Sequence, residues 1–470
     1  MGRALRVTVV AALGAALCTG PGVASTLAAP ERLTAVVSYD RWTDPGSLGS
    51  ARVEVVRTYP RLDAAEIRAP FAELARLVRR PGIRGVVPDA ELRPSGSSVD
   101  GAAKGVYAWE HLDEEAGRAG AGRGVTVALV DTGVSDTWGL RRSSGRLVDG
   151  VDTSGESRLT DGYGHGTFMA GIIGGGTFAS GNERGVGVAP GARIVNVKVA
   201  DASGTTSLTK VLAGFDWVIA NRAVHSIDVA SFSFSRTRPG TGYGPDPLTD
   251  AVERVREAGI SIVVSAGNVP GEVGDPGFDP RVLTVGAAAL GIGKPRVADF
   301  SGGAVVAGVV KPDVVASGVH MLSSLPPDSL IAQQNPGSQR RDGLWRGTGT
   351  SQATAVTAGV VAIFLAEFPG ATPRQVKASV RAAATKVSGR HGGAGLVAIP
   401  NKLRDGTDGP GSGDGGGDGE GGFDAGSWSS NSWSAGSWSA GSWSSNSWSA
   451  GSWSSSSWSA GSWSRADDAK

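Results

Sequence analysis

The sequence has almost no cysteine, and this absence excludes two kinds of site. Among 470 residues the only cysteine is Cys18. A disulfide framework needs paired cysteines, and a cysteine-based metal site needs several of them. Neither can therefore exist in the body of the protein.

The chain also lacks an excess of charge of either sign. Lysine and arginine together number 45, against 44 aspartates and glutamates. Nucleic acids and acidic membrane surfaces attract proteins with a strong positive balance. We therefore predict no nucleic-acid partner and no adhesion to an acidic membrane.

Apolar runs long enough to span a membrane are not expected either, and a short apolar run lies at the start. Arg3 and Arg6 precede an apolar stretch at 7–17, and small residues follow at 24–29. This order is typical of a secretory signal, which we place at residues 1–29. The apolar stretch is too short for a stable membrane-spanning helix.

A lipoprotein signal is the alternative for this N-terminal segment, because it would use Cys18. Leu17 argues against it, since a small residue is expected at that place. No other segment is long and apolar enough to cross a bilayer. The mature protein is therefore predicted to be secreted, extracellular and without a transmembrane segment.

Residues 30–100 are predicted to form a small α+β unit. LTAVVSYD and ARVEVVRTYP alternate like strands, and AAEIRAPFAELARLVRR has helical spacing. GIRGVVPDAEL follows as a turn and a last strand. A compact unit directly after a signal is typical of a pro-segment, and an independent small domain is the alternative.

Residues 101–404 have an α/β pattern. The apolar runs VTVALV, RIVNVKV, ISIVVSA and VLTVGAA alternate with helical stretches such as LTKVLAGFDWVIANRA and DAVERVREAG. Continuous apolar strands separated by helices favour a parallel sheet that is covered on both faces. In such sheets function collects in the loops at the carboxyl ends of the strands.

The composition changes after Arg404. Residues 405–424, rich in glycine and aspartate, are predicted to be a flexible linker. Residues 425–470 repeat the unit S-W-S-[AS]-[GNS], which places tryptophan at every fifth position: Trp428, Trp433, Trp438, Trp443, Trp448, Trp453, Trp458 and Trp463. A period of five fits neither a strand nor a helix.

Two interpretations of this repeat tail are open. It is either a disordered low-complexity segment or an attachment device. In the second case its spaced indoles would stack on cell-wall glycan or on neighbouring tails.

Ser351 lies in RGTGTSQATAVTAG, where a Gly/Thr-rich loop leads into a long apolar segment that stops at Pro369. The pattern places Ser351 at or near the N-terminus of a buried helix. Unpaired N–H groups there would stabilise negative charge beside the serine. Ser351 is then either a nucleophile or an N-cap.

Three further residues lie in loops of similar character. Asp131 ends the run VTVALVD, and Asn268 follows the run SIVVSAG. His165 is the only one of five histidines in a Gly-flanked loop that opens a helix of small residues. Each residue has a structural alternative: a turn cap for Asp131, an inert loop position for His165, and a left-handed turn for Asn268.

The order Asp, His, Ser along the chain distinguishes between classes of hydrolase. It is the order of the subtilisin arrangement, and it differs from those of chymotrypsin and the α/β-hydrolases. The chain also has no G-x-S-x-G motif, which argues against a lipase or esterase of the α/β-hydrolase kind.

Five short motifs resemble the signatures of the subtilisin-like serine peptidases. They are DTGV around Asp131, GHGT around His165, GVAPGA at 187–192, SAGN around Asn268 and GTSQATA around Ser351. The resemblance extends over 107–403, with GAGLV at 393–397 as the closing segment. Residues 31–95 resemble the inhibitor-type propeptide of such enzymes.

The resemblance implies a seven-stranded parallel sheet and a role for each motif residue. Ser351 would be the nucleophile, His165 the general base and Asp131 the group that orients the imidazole. Asn268 and the backbone N–H of Ser351 would form the oxyanion hole. The residues at the substrate edge and first specificity pocket would be Ser233, Phe234, Ser235 and Gly267.

Three positions depart from the family pattern. Gln352 stands where methionine is usual, Ala355 where proline is usual, and Ser235 where glycine is usual. The polar amide of Gln352 needs a partner, and Ser235 is expected to narrow the pocket. Alanine is a good helix former, so Ala355 should not break the helix.

These observations predict a secreted serine endopeptidase that is made as a zymogen, with its own propeptide as intramolecular inhibitor and polypeptides as substrates. The alternative is a catalytically silent surface protein that acts through its tryptophan repeats. The chemistry requires no cofactor. Structural calcium is common in the family, but the sequence assigns no site to it.

Overall fold

The computed structural model describes residues 32–94, 105–137, 139–176, 185–236, 246–290, 294–306, 308–340 and 342–406. The predicted signal, the repeat tail and all but the first two residues of the predicted linker lie outside these ranges. The proposed boundaries of those three segments stay predictions.

The N-terminal unit is an antiparallel sheet with one helix. Its elements are β1 (Leu33–Tyr39), β2 (Glu54–Tyr59), β3 (Ala64–Ala69), α1 (Phe71–Leu77), β4 (Ile83–Pro88) and β5 (Glu91–Pro94). Four of the strands form a sheet in the order β2-β3-β1-β4. Its covered face buries Val37, Ile67 and Val86 against Leu74 of α1, which gives the unit a core of its own.

One prediction for this unit is wrong. The stretch 64–80 was expected to be helical throughout, but its first six residues form β3 and only Phe71–Leu77 is a helix. Pro70 separates the two elements, because the residue before a proline is pushed out of the helical region. β3 is also held between β1 and β2, and these ladders outweigh the helix propensity of its alanines.

The segment 83–94 also holds more structure than was expected. One last strand was predicted there, whereas the structure has both β4 and β5. β4 completes the sheet of the N-terminal unit, and β5 leaves it to pair elsewhere. Two residues, Asp89 and Ala90, separate the two strands.

The larger unit has these elements: β6 (Thr126–Asp131), β7 (Leu147–Asp152), α2 (His165–Gly174), β8 (Arg193–Lys198), β9 (Thr206–Ser207), α3 (Leu208–His225), β10 (Ile227–Phe232), β11 (Phe234–Ser235), α4 (Pro247–Glu257), β12 (Ser261–Ser265), β13 (Leu283–Ala289), β14 (Arg296–Val297), β15 (Ala304–Val306), β16 (Val309–Lys311), β17 (Val314–Ser317), β18 (Met321–Ser323), α5 (Leu330–Gln334), β19 (Trp345–Gly347), α6 (Thr350–Glu367) and α7 (Pro373–Ala383).

The central sheet agrees with the predicted parallel arrangement and adds one short strand. Across the described residues, seven parallel strands run in the order β7-β8-β6-β10-β12-β13-β17. The two-residue strand β14 pairs antiparallel with β13. Both faces of the sheet are covered, which explains why its strands read as continuous apolar runs.

The two faces of the sheet take alternate residues of the same strand. Val127 and Leu129 of β6 pack with α2 and α6, whereas Ala128 and Val130 pack with α3 and α4. This alternation follows from the period of two in a strand. The sheet therefore lies between two hydrophobic layers.

Helix α6 is the central helix of this core. All its residues from Thr350 to Leu365 are buried. The prediction that no segment beyond the start is long and apolar enough to cross a membrane is wrong for this helix by length and composition, but the helix is packed inside the protein. Two buried threonines satisfy their hydroxyls by donating to the helix backbone, from Thr354 to Thr350 O at 2.8 Å and from Thr357 to Ala353 O at 3.0 Å.

A buried ionic cluster joins β13, β16 and α7 at the amino ends of the parallel strands, away from the motif loops. The carboxylate of Asp313 lies 2.8 Å from Lys311 Nζ and 2.9 Å from Lys377 Nζ, and it accepts the Thr284 N–H at 2.9 Å. Burial raises the pKa of Asp313, but the two ammonium groups outweigh burial and hold it at about 2. The ionised carboxylate therefore stabilises the folded state.

We predict that Asp313→Asn destabilises the protein and removes part of its acid sensitivity. The pKa of Asp313 lies below its unfolded value of about 4, so its contribution of about 2 kcal/mol is present above pH 4 and is lost towards pH 2. The variant leaves the buried Lys311 ammonium without its carboxylate, which costs roughly 3–5 kcal/mol near neutral pH. Burial already lowers the pKa of Lys377 to about 7, so Lys377 can lose its proton instead. Urea unfolding between pH 2 and 7, in a Ser351→Ala background to prevent self-digestion, measures both effects. Equal slopes of stability against pH in the two chains would contradict the assignment.

Candidate active site

The motif residues lie where strands of the central sheet end, on the carboxyl side of the sheet. Asp131 is the last residue of β6, Ser233 directly follows β10, and Asn268 follows β12 by three residues. These three strands are parallel neighbours in the order β12-β10-β6, so their carboxyl ends lie side by side. This is the edge at which sites form in open α/β sheets.

Asp131 and His165 are in direct contact. Nδ1 of His165 donates to Oδ1 of Asp131 at 2.8 Å, and the N–H of Thr132 donates to the same oxygen at 2.7 Å. Asp131 is fully buried and His165 is 5% exposed. A carboxylate in this position fixes the ring orientation and leaves Nε2 as the nitrogen that can accept a proton. The alternative that Asp131 is only a turn cap is therefore insufficient.

His165 is the first residue of α2, and its helix packs against α6, which begins with Thr350 and Ser351. The ring of Phe234 meets the imidazole edge-on, with 6.4 Å between ring centroids. No hydrogen bond joins Nε2 of His165 to Ser351 in this structure. Such a bond between base and nucleophile often forms only in the complex with substrate.

Ser351 lies inside its helix rather than at the cap. Gly349 is the N-cap of α6, and Ser351 is the second helical residue and fully buried. The interpretation of Ser351 as an N-cap is therefore wrong. Its position in the first turn places it among backbone N–H groups that have no partner within the helix.

Asn268 is held against the start of the same helix. Its Oδ1 accepts the Thr350 N–H at 3.0 Å and the Thr350 hydroxyl at 2.8 Å. Because these bonds occupy the acceptor end of the amide, its donor end, Nδ2, is turned away from Thr350. The left-handed residue of this loop is Gly267, with φ 93°, and Asn268 does not have a positive φ. The left-handed alternative for Asn268 is therefore wrong.

Of the residues predicted at the substrate edge, Phe234 lies beside the imidazole. Ser233 and Phe234 are buried, and Phe234 and Ser235 form β11. A Cβ on Gly267 would lie 3.8 Å from the Ser235 hydroxyl, so these two residues face the same space. Their predicted role in substrate binding stays a prediction.

The three departures from the family pattern have distinct surroundings. Ala355 is fully buried inside α6, as a helix former can be. A Cβ on Gly274 would lie 2.6 Å from that of Ser235, so the Ser235 side chain covers the Gly274 backbone. Gln352 is 3% exposed, and its Oε1 finds no hydrogen-bond partner in the described part of the chain. The partner that the amide of Gln352 was expected to need is therefore missing for its oxygen among the described residues.

One residue of the site was not identified from the sequence. Asp161 is 3% exposed and accepts the Thr132 hydroxyl at 2.8 Å, the Gly164 N–H at 2.7 Å and the Thr167 N–H at 2.8 Å. Burial raises the pKa of Asp161, and these donors counteract it. The available signal was the acid four residues before His165 in DGYGH.

The resemblance allows a structural calcium ion, which binds best among several carboxylate and carbonyl oxygens. Within the described ranges no group of three or more His, Cys, Asp or Glu side chains is arranged to hold a metal. No calcium site is therefore assigned in these ranges.

Comparisons with known proteins agree with the geometry. The model of the subtilase family matches residues 122–404. Serine protease AprX of Bacillus subtilis is 34% identical over 275 residues, which are 56% of this chain and 61% of that protein. Alkaline elastase YaB of a Bacillus strain is 31% identical over 283 residues, which are 60% of this chain and 65% of that protein. The match thus covers less than two thirds of these relatives.

The crystal structure of fervidolysin from Fervidobacterium pennivorans, a keratinolytic enzyme related to subtilisin, has the same fold. The match has a TM-score of 0.62 and 24% sequence identity, and it covers 78% of this chain and 60% of that one. The matched family model spans more than half of the present sequence. This chain therefore belongs to the subtilase family of subtilisin-like serine endopeptidases.

Proposed function

We propose that this protein is a secreted serine endopeptidase with the triad Asp131, His165 and Ser351. The observation that carries the proposal is the 2.8 Å hydrogen bond between the buried Asp131 and His165, at the start of a helix that packs on the helix of Ser351. Asn268, bound to Thr350 beside the serine, supplies the first oxyanion donor. The backbone N–H of Ser351 supplies the second.

In this mechanism Ser351 Oγ attacks the carbonyl carbon of the scissile peptide bond while Nε2 of His165 takes the hydroxyl proton. The carbonyl electron pair moves to its oxygen, which Asn268 and the Ser351 N–H stabilise. The tetrahedral adduct collapses to an acyl-enzyme as His165 returns the proton to the leaving amine. Water, deprotonated by His165, then releases the second product and restores Ser351.

The alternative function is that of a silent surface protein in which this domain is only a scaffold. A scaffold has no need of a fully buried carboxylate, which is costly unless donors surround it. It also has no need of an imidazole aligned by that carboxylate. The site geometry therefore favours the enzyme.

We predict that Ser351→Ala abolishes self-processing of the full chain. Without the hydroxyl no acyl-enzyme forms, so the chain should keep its N-terminal segment and fail to react with a fluorophosphonate probe. Wild type should be shortened near residues 95–106. Electrophoresis and N-terminal sequencing of both proteins measure the difference.

The matched control for this experiment is Ser231→Ala. Ser231 is also a buried serine, its hydroxyl has no hydrogen-bond partner in the described part of the chain, and it lies within β10 as the last residue but one. The control should process and label like wild type. The enzyme proposal fails if Ser351→Ala processes and labels as the control does.

We further propose that residues 30–100 act as an intramolecular inhibitor. The support is β5, which pairs antiparallel with β11 at the predicted substrate edge and with β9 on its other side. Pro94 lies opposite Phe234, and Arg93 lies opposite Ser235. An extended peptide that joins a sheet edge in this manner binds by main-chain hydrogen bonds, as a substrate of this cleft would.

Other contacts hold the N-terminal unit on α3 and α4. The Asp89 carboxylate accepts the N–H of Thr209 at 3.0 Å, in the first turn of α3, which has no side-chain cap of its own. Arg61 pairs with Asp216 at 3.5 Å, and Arg84 pairs with Asp250 at 3.2 Å. These contacts support a docking that places β5 in the cleft before cleavage.

We predict that Leu92→Asp slows self-processing by at least ~10-fold, whereas Arg93→Ala leaves the rate within ~2-fold. Leu92 is 1% exposed in the cluster that contains Phe232 and Phe234, and its burial is worth roughly 2 kcal/mol. The Arg93 side chain points to solvent. The rates come from a time course of full-length chain by electrophoresis, and equal rates for the two variants would refute the role of β5.

Secretion and attachment are proposals that rest on segments outside the described residues. The charged, apolar and small-residue order of 1–29 supports export. The eight tryptophans of 425–470 support binding to cell-wall glycan, because an indole offers a large flat apolar face with a polar N–H.

We predict that a peptide of residues 424–470 co-sediments with purified cell-wall glycan. The control peptide has every tryptophan replaced by serine, which keeps the length and charge but removes the stacking faces, and it should stay in the supernatant. Tryptophan fluorescence before and after centrifugation reports the bound fraction of the first peptide, and an amine label reports both. Identical sedimentation of the two peptides would refute glycan binding through the indoles.

A further inference from the structure

We propose that Asp161 is a positioning residue that holds Asp131 and His165 in register, acting through Thr132 and the backbone at the start of α2. The inference rests on the proposed triad and concerns residues that the proposed mechanism does not use. Among the described residues, the Asp161 carboxylate forms no hydrogen bond with the imidazole or with the substrate edge.

Asp161 caps the start of α2. Its N-cap residue is Gly164, with φ 108° and no side chain that could cap the helix. The carboxylate of Asp161 does this instead, because its Oδ1 accepts the Gly164 N–H and its Oδ2 accepts the Thr167 N–H. These two donors flank His165, so the acid determines where the helix begins and therefore where His165 lies.

Thr132 links Asp161 to the segment of Asp131. The hydroxyl of Thr132 donates to Asp161 Oδ1 and accepts the N–H of Gly166 at 2.9 Å. Thr132 follows Asp131, and Gly166 follows His165. The hydroxyl of the residue after the acid is therefore bonded both to Asp161 and to the residue after the base.

The start of α2 and the loop after β6 are in close contact. A Cβ on Gly166 would lie 2.1 Å from Gly133 O and 3.2 Å from Asp131 Cβ, so the backbone of α2 lies directly on the loop after β6. A second bond reinforces this contact, from the Ser135 N–H to the Thr167 hydroxyl at 3.0 Å. The glycines give closeness but little stiffness. Asp161 provides the stiffness that they lack.

The chemical consequence lies in kcat. The proton transfer from Ser351 requires the imidazole to be in place, and an error of about 1 Å in such a position can cost ~100-fold in rate. Substrate binding by the edge at β11 does not involve Asp161. Loss of Asp161 should therefore lower kcat and leave KM nearly unchanged.

The experiment compares Asp161→Ala, Asp161→Asn and Thr132→Val with a matched control, Asp152→Ala. Asp152 also accepts one hydroxyl and two N–H groups, from Ser154 at 2.6 and 2.7 Å and from Arg158 at 3.0 Å, but it lies at the end of β7. All variants are made in the full chain. Trace wild-type enzyme processes those that do not process themselves, and it is removed through an affinity tag.

We predict that Asp161→Ala lowers kcat by ~100-fold with KM within ~3-fold. Asp161→Asn and Thr132→Val should lie between this variant and wild type. The amide oxygen of the asparagine still accepts from Thr132, but its NH₂ opposes the Thr167 N–H. Asp152→Ala should keep kcat within ~3-fold of wild type, even if its melting temperature falls as far as that of Asp161→Ala.

A spectroscopic measurement separates positioning from general stability. The proton between His165 and Asp131 gives a low-field resonance in proton NMR, which should broaden or disappear in Asp161→Ala and persist in Asp152→Ala. The inference is overturned if the two alanine variants lose kcat equally, or if the resonance survives in Asp161→Ala. Thr132→Val and Asp161→Asn decide the same question if Asp161→Ala does not fold.

Ser351→Ala distinguishes this inference from the proposed function. If Ser351→Ala keeps activity, the triad itself is refuted and the role of Asp161 with it. If Ser351→Ala is inactive while Asp161→Ala behaves like Asp152→Ala, only the role of Asp161 is refuted.

Discussion

The proposed chemistry depends on one hydrogen bond, from His165 Nδ1 to the buried Asp131 Oδ1 at 2.8 Å. It joins the carboxyl end of β6 to the first residue of α2, so it exists only while sheet and helix stay in register. A buried carboxylate is costly unless donors surround it, and the imidazole and the Thr132 N–H are two such donors. Because α2 also packs on α6, the helix that begins with His165 lies against the helix that contains Ser351.

The sheet edge beside this pair binds an extended chain of the protein itself. β5 lies between β11 and β9, and Leu92 fills a hydrophobic cluster there. Inhibitor and substrate would then use the same backbone donors and acceptors. The difference between them would come from side chains, and from the many contacts that hold the rest of the N-terminal unit on α3 and α4.

Local pattern was sufficient for four strands of the central sheet. The buried strands of β6, β8, β12 and β13 are continuous apolar runs because helices cover both faces. Pattern failed at 64–69, where alanines with high helix propensity form a strand. Pairing with β1 and β2 decided that conformation, and a window of sequence does not contain the partners.

The sequence by itself determined which side chains could take part in the chemistry, since the motifs around Asp131, His165, Asn268 and Ser351 are each local. It also determined the parallel class of sheet that brings such loops to one edge. Only the tertiary structure decided that Asp161 joins the loops of Asp131 and His165, that β5 pairs with β11, and that Gln352 Oε1 has no partner among the described residues. The physical reason is common to all three. Each is a contact, or a missing contact, between segments distant in the chain, and packing rather than local propensity determines it.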